Sequence, residues 1–441
     1  MESVVNYIIG VLIIVFGLAL SIGLHEVGHL LPAKLFGIKV TQYMIGFGPK
    51  LWSTRRGETE YGVKLLPLGG YIAMVGMYPP GPDASDTTQR SGFFRRMIQD
   101  ARESAAEGLE ANDAGRTFYS KPVWQRMVVM FGGPVMNLLL AIVFFAILLM
   151  GFGVAQHSTT VASVSECVIP AGSQQTECQS TDPLSPAAAA GIQAGDRIVN
   201  VNGADIRSWT DFSAVVADSP GIPLSVTVER DGDAVTLQLT PQLTQRYELD
   251  ATGQVLRVDG EPVLRNVGFA GVAPAPELVP QGPDAVVSAI GSAASQMVGM
   301  IATLPEKLAG ITVSTINGTE RDPNGPISVV GIGAVAGEVF SLPGATLEGR
   351  VATMVGMLAS LNMALFIFNL IPLLPLDGGH IAAAAWEAIR RQFAWWFKRP
   401  DPGPVDVAKL VPLTFVVFAV LLSMSTLLIW ADIVNPISLF H

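Results

Sequence analysis

The sequence predicts a membrane α-helical protein with four transmembrane helices, a membrane-associated β-hairpin region and an extracytoplasmic α+β domain. Three observations predict it. Four uncharged stretches, residues 3–24, 127–155, 351–376 and 410–431, have about the length a helix needs to cross a bilayer. Residues 37–77 alternate β-branched, aromatic and polar side chains between turn signals at 46–49, 56–57 and 68–70, which is the pattern of strands and hairpins. Residues 158–242 carry a short helix, Val/Ile strands and Gly-Asp and Asn-Gly turns, as a small soluble domain does.

Composition agrees. Half of the residues are hydrophobic and 15% are charged, and mean hydropathy is positive, so the chain belongs with membrane proteins. A formal net charge of −10 with few basic clusters argues against nucleic acid as a partner. The first stretch, placed in a helix over residues 1–36, lacks the basic start and small-residue cleavage site of a secretory signal and is read as retained.

Lys and Arg counts set the orientation. Residues 33–121 hold twelve of the 27 and residues 377–409 hold five, whereas the much longer segment 156–350 holds nine. The loops 78–121 and 381–408 are therefore expected to be cytoplasmic, and the N-terminus and the domain over 157–243 extracytoplasmic. Within the first loop, residues 95–111 are helix-prone, and the Pro/Gly/Asp-rich lead-in reads as a partly mobile insertion. The only cysteines, Cys167 and Cys178, fall on the outer side. There a disulfide closing a short loop is expected, with two free thiols the alternative.

The second span, within residues 122–156, contains Pro134 and Asn137 in "GGPVMN", read as a kinked helix whose Asn bonds a neighbour. Residues 244–349 are expected to form an extracytoplasmic linker with amphipathic helices. Within them, residues 285–303 are uncharged and would be a fifth span on hydropathy alone.

The chemistry sits at the end of the first span. In "HEVGH", His25 and His29 are four residues apart, so on a helix both rings lie on one face and one ion can touch both. Glu26 is rotated about a quarter-turn away, beside that ion and not bound to it. Imidazoles holding Zn²⁺, with a glutamate to take a proton from an attacking water, are the zinc-hydrolase arrangement. Five-residue matches of this kind also arise by chance, but ionisable groups at the end of a lipid-facing helix need a reason to be there.

Catalytic zinc takes a third protein ligand. Asp377, after the third uncharged run and before two glycines, is the best candidate; a helix-end turn aspartate is the alternative. His29 and Asp377 can meet only if the first and third spans, the third assigned to residues 350–380, end on the same side. The chain must then cross twice between them. A crossing by residues 285–303 would put Asp377 on the opposite face, so that stretch is expected to lie along the membrane surface. The fourth span is placed at 409–434.

These motifs resemble the bacterial site-2 protease family of zinc intramembrane metalloproteases. The matches run in order: His25-Glu26-Val27-Gly28-His29, Gly46-Phe47-Gly48-Pro49, "LPLGGY" (66–71), "FYSKPVWQRMVVMFGGPVMN" (118–137), "NGPISVVGI" (324–332) and "NLIPLLPLDGGH" (369–380). The segment "SPAAAAGIQAGDRIVNVNGADIRSW" (185–209) resembles a PDZ domain, of which this chain has one where some relatives have two. The resemblance implies a metalloendopeptidase using one Zn²⁺ and cutting single-pass transmembrane proteins, such as trimmed anti-sigma factors and signal-peptide remnants. It implies that residues 37–77 hold substrate as an added strand, and that the PDZ-like domain binds an extended peptide. It also implies that Asn369 serves substrate binding or oxyanion stabilisation, a helix–helix hydrogen bond being its alternative. A non-catalytic PDZ scaffold with a structural zinc, or a metal transporter, would account for less: Glu26 is idle in the first, and a transporter needs ionisable groups along several spans.

Overall fold

The computed structural model describes residues 2–79, 93–106, 108, 113, 115–169, 178–179, 182–247, 257–258, 261–322, 325–342 and 345–437. The expected mobile lead-in of the 78–121 loop lies mostly outside them. The chain forms two compact units, one of residues 1–152 and 281–441 and the other of residues 153–280.

The first unit begins with α1 (Glu2–Leu35), 34 residues long and so about 51 Å at 1.5 Å per residue. It is longer than the ~30 Å hydrocarbon core of a bilayer. β1 (Val40–Arg56) and β2 (Thr59–Met74) follow. The sequence predicts several short strands here; instead, two long strands fold back on themselves. Residues 42–45 of β1 pair on one side with residues 70–73 of β2 and on the other with residues 60–63, while 50–56 pair with 59–64. The result is a curled sheet whose outer edges are 70–74 and 50–56. The reason is that Gly46, Gly48 and Gly69, at φ of +92°, +87° and +138°, bend the strands where turns were expected.

α2 (Phe93–Ala106) leads to α3 (Val123–Ala146), whose last residues continue as a wider turn over Ile147–Phe152. Beyond the second unit come α6 (Pro283–Asn317), α7 (Val329–Ser341), α8 (Leu347–Asn369), α9 (Asp377–Trp396) and α10 (Val411–Val434). The sequence placed Asp377 on the third span and called residues 381–408 a loop. In the structure α8 stops at Asn369, Pro372 and Pro375 lie in the turn that follows, and Asp377 opens a separate 20-residue helix. Prolines cannot continue α8, and an aspartate suits a helix's first turn.

Among the described residues, five helices are long and apolar enough to cross a membrane by length and composition: Ser3–Leu35, Val123–Phe152, Pro283–Asn317, Leu347–Asn369 and Val407–Val434. The third of these is α6, which was expected along the surface. Its first turns pack on Ala141 and Phe145 of α3 and Ala359 and Met363 of α8, after the Gln281 amide donates to the Leu149 carbonyl. Its last turns pack on Leu428 and Ala431 of α10, where the Asn435 side chain donates to the Thr319 carbonyl. α7 lies against the first half of α1, with Gly10 so close to Ala336 and Phe340 that a Cβ would collide with them.

The second unit contains β3 (Val154–Val164), α4 (Pro186–Ala190), β4 (Arg197–Val201), β5 (Ala204–Asp205), α5 (Trp209–Ala217), β6 (Leu224–Arg230), β7 (Asp233–Leu239), β8 (Gln242–Tyr247), β9 (Arg257–Val258), β10 (Glu261–Pro262), β11 (Leu264–Phe269) and β12 (Val272–Val279). An antiparallel sheet in the order β12-β3-β4-β6-β7 encloses Val161, Ile198, Val226 and Val228 with Phe212 of α5. The sequence ended this domain at 243 and assigned 244–349 to a linker, whereas β11 and β12 belong to the unit, which extends to Pro280. Pro274 and Pro276 within β12 mask its strand pattern; an edge strand tolerates them. Cys167 and Cys178 are joined as a disulfide.

Candidate metal centre

His25 and His29 stand one turn apart on α1, with their Nε2 atoms 3.1 Å from each other. α9 delivers Asp377 from the other side, its Oδ2 3.3 Å from Nε2 of each histidine. Gly378 and Gly379, the next two residues, are buried so tightly against the backbone of the 370–374 turn that a Cβ at either would collide with it. That close approach, open only to glycine, lets the helix start beside the histidines.

The triangle fits a metal. Ligand atoms about 2.0–2.2 Å from a tetrahedral Zn²⁺ stand roughly 3.3–3.5 Å apart, close to the edges found. Asp377 Oδ2 is buried and, among the described residues, has no hydrogen-bond partner, a costly state for a carboxylate oxygen without a cation. Among the described residues these three side chains form the one His/Cys/Asp/Glu group with such spacing.

The outward nitrogens are held by α3. His29 Nδ1 lies 2.7 Å from the Val129 carbonyl, so Nδ1–H donates there and the Nε2 lone pair faces the centre. His25 Nδ1 lies 3.0 Å from the side-chain amide of Asn137, which is fully buried. The two ends of an amide exchange by a half-turn, and with Nε2 on a metal its oxygen faces the Nδ1–H. Gly133 lies over both rings: a Cβ there would strike Nε2 of each.

Glu26 is buried next to the triangle, its Cγ against Gly70 on the 70–74 edge of the β-sheet. Among the described residues its carboxylate has no hydrogen-bond partner, which leaves it free to exchange a proton. Asn369 ends α8, half-buried. Among the described residues its side chain makes no hydrogen bond, so the helix–helix role has no support here. Asn362 makes that kind of contact instead, donating to Ser21 of α1 at 2.9 Å.

The model of peptidase family M50 matches residues 13–396. The chain is 35% identical to zinc metalloprotease Rip1 of Mycobacterium tuberculosis over 438 residues, 99% of this chain and 100% of that protein. It is 34% identical to the zinc metalloprotease Rip1 of Mycolicibacterium smegmatis over 98% of this chain and 99% of that one. With metalloprotease MmpA of Caulobacter vibrioides it shares 32% identity, over 88% of this chain and 89% of that one. The chain belongs to peptidase family M50.

In this M50 chain a buried ion pair braces the centre from α3 and α9. Arg126 Nη2 donates to Glu387 Oε1 at 2.5 Å, and the fully buried Glu387 also accepts from the Val405 amide at 3.0 Å. Arg126 lies three residues before Val129, and Glu387 ten residues after Asp377, so the pair ties the helix that orients the histidines to the helix that carries the aspartate. Sequence reasoning missed this pair, as it missed Gly133 and the Val129 carbonyl. The usable signal was Arg126 at the edge of an apolar run and Glu387 as the lone acid of residues 378–389.

Proposed function

We propose that this M50 peptidase is a zinc-dependent endopeptidase that hydrolyses peptide bonds in or near the transmembrane segment of single-pass membrane proteins, with membrane lipid around it. One observation carries the reading: three ligand atoms of His25, His29 and Asp377 lie 3.1–3.3 Å apart with an unpartnered glutamate beside them. One Zn²⁺ bound there supplies Lewis acidity that lowers the pKa of a water toward about 7. Glu26 accepts a proton from the attacking water and returns it to the leaving nitrogen. Val129 and Asn137 keep the two imidazoles in the ligating tautomer, and Asn369 donates to the carbonyl oxygen as charge develops on it.

A transmembrane helix hides its carbonyls in its own hydrogen bonds, so it must unwind before it is cut. The 70–74 edge next to Glu26 suits an unwound segment, because an edge strand satisfies freed backbone groups. The unit over residues 153–280 is read as PDZ-like and extracytoplasmic, binding an extended peptide.

Four spans are proposed, with the N-terminus outside and the centre near the cytoplasmic side of the cell membrane. Support comes from the centre itself. His29 on α1 and Asp377 at the start of α9 lie 3.3 Å apart, which requires an even number of crossings between them, supplied by α3 and α8 without a further crossing by α6.

A scaffold with a structural zinc is the competing reading, and the free Glu26 carboxylate disfavours it, since a structural site needs no base. The test is co-expression with candidate single-pass substrates, such as trimmed anti-sigma factors and signal-peptide remnants. Wild type cleaves, whereas Glu26→Gln retains zinc and accumulates the trimmed precursor. Full cleavage by Glu26→Gln in detergent overturns the mechanism; zinc without turnover on any trimmed substrate favours the scaffold.

A further inference from the structure

α9 shows two unlike faces. One carries Ala384 and Glu387, both buried, the latter held by Arg126 and the Val405 amide. On the other, Trp386, Ile389, Phe393, Trp396 and Phe397 are 56%, 47%, 53%, 61% and 68% exposed, while Trp395, 73% exposed, lies off this face near the end of the helix. At 100° per residue these five fall within a 120° arc, an apolar stripe left exposed by the described residues. Arg390, Lys398 and Arg399 accompany it, Arg391 being paired with Glu387 and Asp401, while the one acid between residues 378 and 400 is the buried Glu387.

The depth of this stripe follows from its neighbours. Glu387 bonds to Val405, and Val407 and Ala408 are buried just beyond. The candidate span Val407–Val434 starts there, so the middle of α9 lies level with the entry of α10 into the bilayer. A second aromatic pair flanks the same place: α2 opens with Phe93 and Phe94, 70% and 62% exposed, and is tied to this loop by Arg102 donating to Asp406 at 2.6 Å. Tryptophan and phenylalanine beside Arg and Lys at a membrane boundary match the interfacial zone, where rings enter the acyl boundary and cations reach anionic headgroups.

We propose that α9 is an in-plane membrane helix, its aromatic stripe seated in the cytoplasmic bilayer interface and its basic residues on anionic phospholipid headgroups. Asp377 is its first residue, so the membrane surface takes part in holding the third ligand of the centre in register. The inference rests on the reading that the first unit lies in a bilayer, but not on catalysis or on bound metal.

Site-directed spin labelling of the full-length protein in lipid nanodiscs tests it. The two native cysteines are joined to each other, so one introduced cysteine takes the label. Three variants suffice: Phe393→Cys on the stripe, Ala388→Cys on the exposed opposite side, and Phe16→Cys on the exposed face of α1. The expected result is that labels at 393 and 16 are relaxed by oxygen and shielded from a water-soluble nickel chelate, and the label at 388 the reverse. Lipid exposure at 16 with water exposure at 393 overturns the inference alone, whereas water exposure at 16 overturns the membrane reading itself. Shielding of 393 from both agents assigns the stripe to a second copy or another protein and overturns it too. Phosphatidylglycerol should be enriched around the wild type in mixed nanodiscs and fall on the order of fivefold per basic residue removed in Lys398→Gln and Arg399→Gln. Unchanged enrichment overturns the headgroup assignment.

Discussion

Gly28 and Gly132 cross backbone to backbone: a Cβ on either would collide with the carbonyl oxygen of the other. This crossing of α1 and α3 sits three residues from both the Val129 carbonyl and His25. It therefore sets the distance at which α3 reaches the two imidazoles. Gly132→Ala is expected to force the helices apart and cost about 1–3 kcal/mol, the usual penalty of overpacking. Heat inactivation in detergent reads the stability loss, and elemental analysis reads lost zinc. Unchanged zinc content and stability would mean that the crossing has slack.

Gly133 separates packing from metal binding. A methyl group there strikes the Nε2 atoms of His25 and His29, its nearest neighbours. Gly133→Ala is expected to lower zinc retention against a chelator at least tenfold while helix content by circular dichroism stays unchanged. Tight zinc binding by this variant would put the ion elsewhere.

Asn137 offers a finer test. Outer partners of metal-binding histidines are worth roughly 10–100-fold in metal affinity. Asn137→Leu removes the acceptor for His25 Nδ1–H and is expected to weaken zinc within that range. Asn137→Asp keeps an acceptor oxygen and is expected to retain most of the affinity. Competition against a graded series of chelators measures both, and equal loss in the two variants would assign Asn137 a packing role only.

These residues also mark what was legible in the sequence. His25, Glu26 and His29 are readable because helical spacing is local, and Asp377 because zinc needs a third ligand and few groups are available. Asn137 was visible only as a polar residue in an apolar helix, and its partner depends on how α1 crosses α3, which no local pattern encodes. α9 was missed because its one buried acid and exposed aromatics run against the inside–outside pattern of a soluble helix. β12 was missed because its edge prolines, Pro274 and Pro276, hide the strand alternation.

Arg126 and Glu387 lie in the interior, where removing Arg126 leaves Glu387 only the partly exposed Arg391 at 3.1 Å and the Val405 amide. Arg126→Met is expected to cost about 3–5 kcal/mol, the usual result of breaking a buried pair. The double variant Arg126→Met/Glu387→Met should recover most of the stability, because neither charge then remains. If the pair also aligns α9, zinc affinity in the double variant stays below wild type although stability returns. Recovery of both would leave the pair a purely structural brace.

The second unit carries a pH signature independent of the metal centre. Asp196, 1% exposed, receives Arg230 Nε and Nη2 at 2.7 Å each and the Gln193 amide at 2.8 Å. The Arg230 hydrogen bonds hold the Asp196 carboxyl below its ordinary range, against the opposite push of burial. A depressed folded-state pKa means that the unfolded chain binds more protons near pH 4. The stabilisation is therefore complete above the ordinary aspartate value of about 3.9 and is lost as pH falls through the lower folded value. Amide-exchange protection of residues 186–200 in the full-length protein, corrected for intrinsic rates, should stay level from pH 7 to 5 and drop below about pH 4. Arg230→Gln removes the main depressing contact while burial remains, so the acid-side drop should flatten. A drop of the same size in that variant would assign the acid sensitivity to another carboxylate.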